Sequence, residues 1–557
     1  MKNLLLLILM LPLAIMQTAH AQISKPGLPP TLALSIKNEI YPVIEIPAPD
    51  VSRLLAEDAF TDKHGIAMRF AVSTPVNINF SKEGAWMQLN DGSRVCRLAI
   101  QSQEAQALIM YYKNFVIPEG GTLFMYDKEQ KQIIGAFTHF NNRNGGTFAT
   151  QMVRGGTTIF EYHQPAGLIQ EARIIIDEVG YVYRTAEVIF GGKGFGGSDT
   201  CEVNIKCPEG NNWQNQALGV ARVSVKKGSS SQWCSGSLVN NARQDLTPYF
   251  LTADHCGFGA SADDYDRWIF YFKYQGDSCK NPSGDLNFNF YSIVGATKVA
   301  AAGGIGYESD FKLLLLNERV PEVEYQPYFN GWDASDEASA TGFGIHHPQG
   351  DIKKISTFTQ PLISDTYNGN DPDTYWRVRW AATETNHGVT EPGSSGSPLF
   401  DANGLIVGQL TGGSASCTYL TSPDYYGKFS HSWDKIGIAD STQLKAWLDP
   451  DNTGVLILNG IVDVPELEKE KRVHLTIFPN PTNGVVWLNF DKNLKNETVQ
   501  LIVLDLAGRR VLDKTISAEK LKQAEINLSF LKEGIYFVRT IIDKEISTQK
   551  IIKTSIR

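Results

Sequence analysis

Two short stretches of this chain, with one acid between them, carry the side chains needed to break an acyl bond. Leu251-Thr-Ala-Asp-His-Cys-Gly257 sets His255 beside Cys256, and Gly393-Ser-Ser-Gly-Ser-Pro398 sets Ser395 in a glycine-flanked turn. A serine hydroxyl is a poor nucleophile until an imidazole takes its proton, and the oxyanion then formed needs preorganised donors. Backbone N–H groups of Gly393 and Ser395 are the candidate donors. Asp310 stands just ahead of the apolar run Phe311-Lys-Leu-Leu-Leu-Leu316, so it is expected to be buried. A buried carboxylate needs a partner, and an imidazole N–H supplies one. In the implied reaction Ser395 attacks a carbonyl, His255 takes and later returns the proton, and Asp310 fixes the tautomer.

Those residues need a scaffold, and the composition says which kinds are open. The chain has 557 residues, 42% hydrophobic and 20% charged, which fits several globular domains and argues against extensive disorder. A formal net charge of −9 disfavours nucleic acid as a partner. No run reaches the roughly 18–20 apolar residues of a membrane span. The apolar run Leu4–Met16, with Lys2 before it and Ala19-His20-Ala21 after it, predicts a secretory signal over residues 1–21. Six of the seven cysteines (201, 207, 234, 256, 279 and 417) fall in one segment, which in an exported chain reads as three disulfides. Paired C-x-x-C elements of a zinc site are missing, so no metal is expected. Spacing alone leaves as many as fifteen pairings open. Cys96, the seventh, reads as a small buried hydrophobe.

Four segments follow from patterning. Residues 22–193 are β-rich, with Thr122–Tyr126 and Ile133–Phe137 reading as a hairpin. They end in Gly191-Gly-Lys-Gly-Phe-Gly-Gly-Ser198, flexible enough to expose a cut site. Residues 194–461 have short β-branched and aromatic runs that favour a pair of all-β barrels, with Ser441–Leu448 as a late helix. Residues 462–472 form a charged linker. Residues 473–557 alternate cleanly, as in Leu501–Leu506 and Ile535–Arg539, and predict a small immunoglobulin-like β-sandwich with Gly508 and Gly534 at turns.

The order His, Asp, Ser is that of the chymotrypsin-type triad. From Cys201 to about Gly460 the chain resembles the bacterial lysyl endopeptidases, a branch of the chymotrypsin-like fold. The matching stretches are Cys201-Glu-Val-Asn-Ile-Lys-Cys-Pro-Glu-Gly210, Gly236-Ser-Leu-Val-Asn-Asn241, Tyr249–Gly257, Ser309-Asp-Phe311, Ile345-His-His-Pro348, Gly388–Pro398 and Trp447-Leu-Asp-Pro450. The resemblance implies a mostly β fold, a triad of His255, Asp310 and Ser395, and the pairs Cys201–Cys417, Cys207–Cys279 and Cys234–Cys256. It also implies cleavage after lysine.

Selecting a cationic side chain requires an acid at the bottom of the main pocket. The position six before Ser395, where trypsins keep that acid, is Val389. Asp424 matches the lysine-recognising aspartate of the family, with Gly412 and Gly413 as the substrate-pairing strand. Thr411 stands where the family often has a histidine, and the family's stacking tryptophan falls near Tyr367. Ser394 occupies the place where trypsins keep the aspartate that receives a freed N-terminus. Control of activity is therefore assigned to residues 22–193, either by helping the enzyme fold or by covering its cleft. Lys193, just before Gly194, is the expected cut site.

The last segment resembles the sorting domains of type IX secretion in Bacteroidetes, through Ile477-Phe-Pro-Asn-Pro-Thr-Asn-Gly484, Asp505-Leu-Ala-Gly508, Gly534-Ile-Tyr-Phe-Val538 and Lys550-Ile-Ile-Lys553. The whole reads as a secreted or surface-attached serine endopeptidase that acts on proteins and peptides. Its other expected partner is the type IX machinery, and it needs no cofactor. Cleavage after arginine as well as lysine, or an inactive protease-fold adhesin, are the alternatives.

Overall fold

The computed structural model describes residues 27–36, 40–63, 68–184, 197–282, 291–303, 308–318, 325–369, 372–462, 475–480, 482–490, 498–505, 509–517, 525–542 and 545–554. The expected signal, the cut site at Lys193 and Gly194, Gly508 and nearly all of the linker lie outside these residues. The fold is mostly β, as expected. Among the described residues no helix is long and apolar enough to cross a membrane.

Residues 220–428 hold two barrels with one plan. In the first, the strands are Val220–Lys227, Ser230–Leu238, Tyr249–Ala253, Ile269–Phe272, a fifth bent at Gly295 (Tyr291–Val294 and Ala296–Ala301), and Phe311–Leu316. In the second they are Gly342–His346, a broken strand (Lys354–Phe358 and Ile363–Asp365), Tyr375–Val378, Pro398–Phe400, Ile406–Gly413 and Asp424–Lys428. Numbered along the chain, the strands of each barrel pair in the same cyclic order, 1-2-3-6-5-4. This is the expected double barrel. Closure removes the exposed sheet edges that would otherwise invite aggregation. The disulfides are Cys201–Cys417, Cys207–Cys279 and Cys234–Cys256. The expected late helix is two short turns, Asp440–Thr442 and Lys445–Leu448, whose Leu444 and Leu448 are buried under the barrels.

Residues 27–184 form two sheets around one apolar core. The expected hairpin is present, with Tyr126 opposite Ile133. Cys96 is buried there, and burial pushes its thiol pKa up to about 12, so it is inert. One of these sheets does not stop at the barrel. The third strand of the first barrel reaches only Ser237 and Leu238 of the second strand. The opposite end of that second strand would be an open edge. Strand Arg69–Asn79 fills it, with Val72 opposite Ser230 and Ala71 opposite Ser231. The Phe70 ring stacks on Trp233 at 3.8 Å. Trp233, Tyr271 and Tyr274 of the barrel belong to the same core as the N-terminal sheets. The Arg222 guanidinium lies over all three of those rings, 3.7 Å from the Tyr274 centroid. Around this core, Arg267 pairs with Asp177 and Glu178 at 2.8 Å each, and Lys226 pairs with Glu178 at 2.9 Å. The two segments expected as separate domains thus share a sheet and a core, and residues up to 463 form one compact unit.

The C-terminal unit has a three-stranded sheet (Leu475–Phe478, Val485–Phe490, Glu525–Asn527) and a four-stranded one (Thr498–Leu504, Arg510–Ser517, Gly534–Ile542, Glu545–Lys553). Val486, Leu501, Val503, Val538 and Ile551 fill the core between them, which makes a sandwich.

Main-chain pairing plus an aromatic core resembles a permanent rather than a transient interface. Cutting the backbone between Arg184 and Gly197 should therefore leave two pieces that co-elute in gel filtration at neutral pH. Phe70→Asp should separate them, and co-elution of the cut Phe70→Asp protein would contradict this account.

Candidate active site

The third strand of the first barrel ends at Ala253, opposite Phe311 of the sixth strand. Asp310, one residue before Phe311, therefore lies against the turn that carries His255. The Asp254 N–H donates to the Asp310 carbonyl at 2.8 Å. Asp310 has a left-handed backbone (φ 55°), a conformation rare for residues other than glycine. Its Oδ1 accepts the His255 backbone N–H at 2.9 Å, and its Oδ2 lies 2.7 Å from His255 Nδ1. Both side chains are buried. The carboxylate keeps the proton of the neutral ring on Nδ1 and leaves Nε2 as the base. Nε2 is buried and has no partner among the described residues.

Ser395 reaches the same place from the second barrel. Its carbonyl accepts the Ser235 N–H at 2.8 Å and lies 3.7 Å from Cys256 Sγ, the residue after His255. Gly396, at φ 80°, packs so closely on Thr252 and Ala253 that a Cβ there would overlap both. Within the turn the Ser394 N–H donates to the Glu391 carbonyl at 2.9 Å, while the Gly393 and Ser395 N–H groups find no acceptor among the described residues. That is the arrangement an oxyanion hole needs. The turn is braced by a neutral network: Ser394 Oγ lies 2.8 Å from His346 Nδ1, and His346 Nε2 lies 3.1 Å from Ser356 Oγ. Burial, with Lys354 adding to it, lowers the His346 pKa to about 3, so the ring stays uncharged. The segment after the glycine stretch is stitched to the same loop, since the Asp199 N–H donates to Glu391 Oε1 at 2.9 Å.

Asp424 begins the sixth strand of the second barrel, opposite Gly413 of the fifth, and is fully buried. Its Oδ2 accepts both Trp380 Nε1 and Thr390 Oγ1 at 2.7 Å, Oδ1 accepts the Ala415 N–H at 3.2 Å, and the Thr390 N–H also donates to the carboxylate. Burial raises its pKa to about 6, offset in part by those donors. Glycine is required at 413, where a Cβ would overlap the carboxylate. Tyr367 lies against Gly412 and packs on Tyr425, with ring centroids 4.8 Å apart. It therefore sets an aromatic ring beside the Gly412–Gly413 edge. Thr411 is buried beside this pair, and its hydroxyl has no partner among the described residues. Val389 is buried in the apolar layer beneath. Cys201–Cys417 closes the wall between Gly413 and Asp424. Sequence reasoning missed Trp380 and Thr390, because a residue that donates to a pocket acid carries no motif of its own. No hydrogen bond or ion pair joins residues 27–184 to residues 389–395, 411–413 or 424 among the described residues, and the N-terminal sheets attach to the first barrel instead.

Residues 195–427 match the family model "Lysyl endopeptidase, C-terminal domain", and residues 476–554 match "Secretion system C-terminal sorting domain". A curated relative, the lysyl endopeptidase of Pseudomonas aeruginosa, is 28% identical over 301 residues, covering 51% of this chain and 61% of its own length. Two solved structures align with 38% of the chain at a TM-score of 0.27: a thermostable serine protease, AL20, from an extremophilic microorganism, at 14% identity over 92% of its length, and the protease Anisep of Arthrobacter nicotinovorans, at 18% over 90%. The sorting-domain match makes this a secreted or cell-surface protein.

A carboxyl whose pKa is about 6 in the fold binds its proton more tightly there than in the unfolded chain. Between about pH 4 and 6 the native state holds more protons, so stability falls as pH rises through that window and is level above it. Asp424→Asn keeps acceptors for Trp380 and Thr390 and removes the charge. In a Ser395→Ala background its melting temperature should match the parent near pH 4 and exceed it above pH 6. A variant less stable than the parent at pH 7 would refute this assignment.

Proposed function

We propose that this protein is a secreted serine endopeptidase that cleaves on the carboxyl side of lysine through an acyl-enzyme. The arrangement that carries the reading is a buried His255–Asp310 pair at the seam of two barrels, with Ser395 in a turn whose N–H groups are unoccupied. Ser395 Oγ attacks the scissile carbonyl while His255 Nε2 takes its proton. The Gly393 and Ser395 N–H groups receive the oxyanion. His255 then protonates the leaving amine, and water repeats the sequence to release the acid. Removal of one such donor typically costs ~3–4 kcal/mol of transition-state stabilisation.

The preference for lysine rests on Asp424. Its oxygens already accept the Trp380 and Thr390 side chains and the Ala415 and Thr390 N–H groups. A guanidinium seeks two free oxygens in a fork, whereas an ammonium needs one accessible acceptor. A carboxylate whose oxygens are already engaged by four donors suits the ammonium better than the fork. The P. aeruginosa relative is named a lysyl endopeptidase, which supports the same preference.

In this reading residues 22–193 are a propeptide, severed by a cut between Lys193 and Gly194 but still held by the shared sheet and core, and residues 194–461 are the catalytic domain. Residues 462–472 are a linker, and residues 473–557 carry the enzyme to the type IX machinery. Because the described N-terminal sheets extend the first barrel, the propeptide acts on folding.

Digestion of a denatured protein, with the fragments mapped, tests this directly. Fragments should end in lysine, with arginine ends rarer by about a hundredfold, the effect of a few kcal/mol at a buried charge pair. Equal lysine and arginine ends would sink the lysine preference. Absence of both cleavage and labelling of Ser395 by a serine-directed reagent would leave the inactive adhesin. Asp310→Asn should lower kcat about 10⁴-fold with KM little changed. KM for lysyl substrates should rise as pH drops below about 6, where Asp424 takes up its proton.

A further inference from the structure

Lys312 lies two residues beyond Asp310, on the sixth strand of the first barrel, and is completely buried. Its Nζ donates to the backbone carbonyls of Asp254 at 2.9 Å and Cys256 at 2.7 Å, the residues on either side of His255. Asp254 Oδ1, at 3.3 Å, gives the third N–H a partner. Asp254 is itself held, since its Oδ2 accepts the Gly303 N–H at 2.9 Å. The ammonium also faces the rings of Tyr265 and Trp268, at 5.5 and 5.4 Å. Of the charged groups around it, Asp254 and Asp310 favour its proton and Lys298 opposes it, while burial lowers its pKa to about 8.

The neighbours of Lys312 on this strand are Phe311, Leu313, Leu314, Leu315 and Leu316. An apolar side chain at 312 would fit the same interior without the desolvation cost of an ammonium. What only a donor can do there is bind two carbonyls that bracket the proposed catalytic base.

We propose that Lys312 is a positioning residue of the peptidase reaction, clamping the main chain on both sides of His255 so that its imidazole faces Ser395. This rests on the peptidase reading above. Misplacement of a catalytic group by about 1 Å can cost roughly a hundredfold in rate. The clamp therefore acts on kcat, since it touches neither the Asp424 pocket nor the Gly412–Gly413 edge.

The test compares wild type with Lys312→Met, which keeps length and packing but has no donor, and Lys312→Gln, which keeps an N–H at shorter reach. Lys312→Met should lower kcat on a lysyl peptide by about tenfold or more, with KM within about twofold of wild type. Labelling of Ser395 by a serine-directed reagent should slow in parallel. Lys312→Gln should fall between the two. Removing the cation leaves the buried Asp254 carboxylate and two carbonyls without their donor, so Lys312→Met should lower the melting temperature in a Ser395→Ala background, and kcat is compared well below that temperature. A Lys312→Met enzyme with kcat within twofold of wild type overturns the proposal, and so does a change in KM alone. If Lys312→Met does not fold, Lys312→Gln decides by the same criteria. A wild type that neither cleaves nor labels sinks the peptidase reading itself, and the clamp with it.

Discussion

A carboxylate without water must draw its donors from the protein, and Asp310 draws both from one residue. The His255 backbone N–H and ring Nδ1 take its two oxygens. This double contact fixes the direction of the ring as well as its tautomer, because the peptide plane and the imidazole are held by the same acid. It also explains the left-handed backbone at Asp310. An extended residue entering the sixth strand would aim its side chain along the sheet normal, whereas the turned one aims it back at the end of the third strand. The local strain is held by the strand pairing that follows it, Ala253 with Phe311 and Leu251 with Leu313.

The pair then has to be registered against a nucleophile and a pocket on another barrel. Ser309 makes that join. Its carbonyl accepts Gln409 Nε2 at 2.6 Å from the fifth strand of the second barrel, and its hydroxyl meets Ser432 Oγ at 2.6 Å. Gly427 has no Cβ to keep the Ser309 carbonyl away. From the other direction, Ser235 and Thr252 of the first barrel hold the Ser395–Gly396 turn. Two independent contacts across the seam fix both translation and tilt, so the cleft belongs to neither barrel alone.

Much of this was legible in the sequence, for identifiable reasons. His255, Asp310 and Ser395 stand out because their chemistry has few residue types to choose from and their order limits the topology. Asp310 was readable from the apolar run behind it. The disulfide partners came from resemblance, since spacing leaves the pairing open. Three things were hidden. Trp380 and Thr390 serve Asp424 through single hydrogen bonds, and any buried donor of the right reach would do. Lys312 is a cation in a leucine run, visible as an oddity but meaningless until the carbonyls around His255 are in place. The pairing of Arg69–Asn79 with Ser230–Leu238 depends on how short the contact with the third strand is, a property of tertiary geometry that alternation cannot encode.

Asp310 and Asp424 show how one fold uses two buried acids for opposite ends. Asp310 is saturated: its partner is in place and its role is orientation. Asp424 has hydrogen-bond donors but no cation, and burial accordingly raises its pKa to about 6. Near neutral pH it is ionised and under-compensated, a state the fold tolerates because Trp380 and Thr390 share the charge. On the proposed reading, an entering lysine would supply the missing positive charge in a buried site, where the attraction is strong. A neutral side chain would leave the acid as it was. On that reading discrimination would come from an incompleteness of the free protein, and the same incompleteness lowers its stability above pH 6. The clamp at Lys312 has the reverse design, with every donor used before substrate arrives. In the proposed enzyme, selectivity would come from the acid left incomplete and turnover from the base that is held rigid.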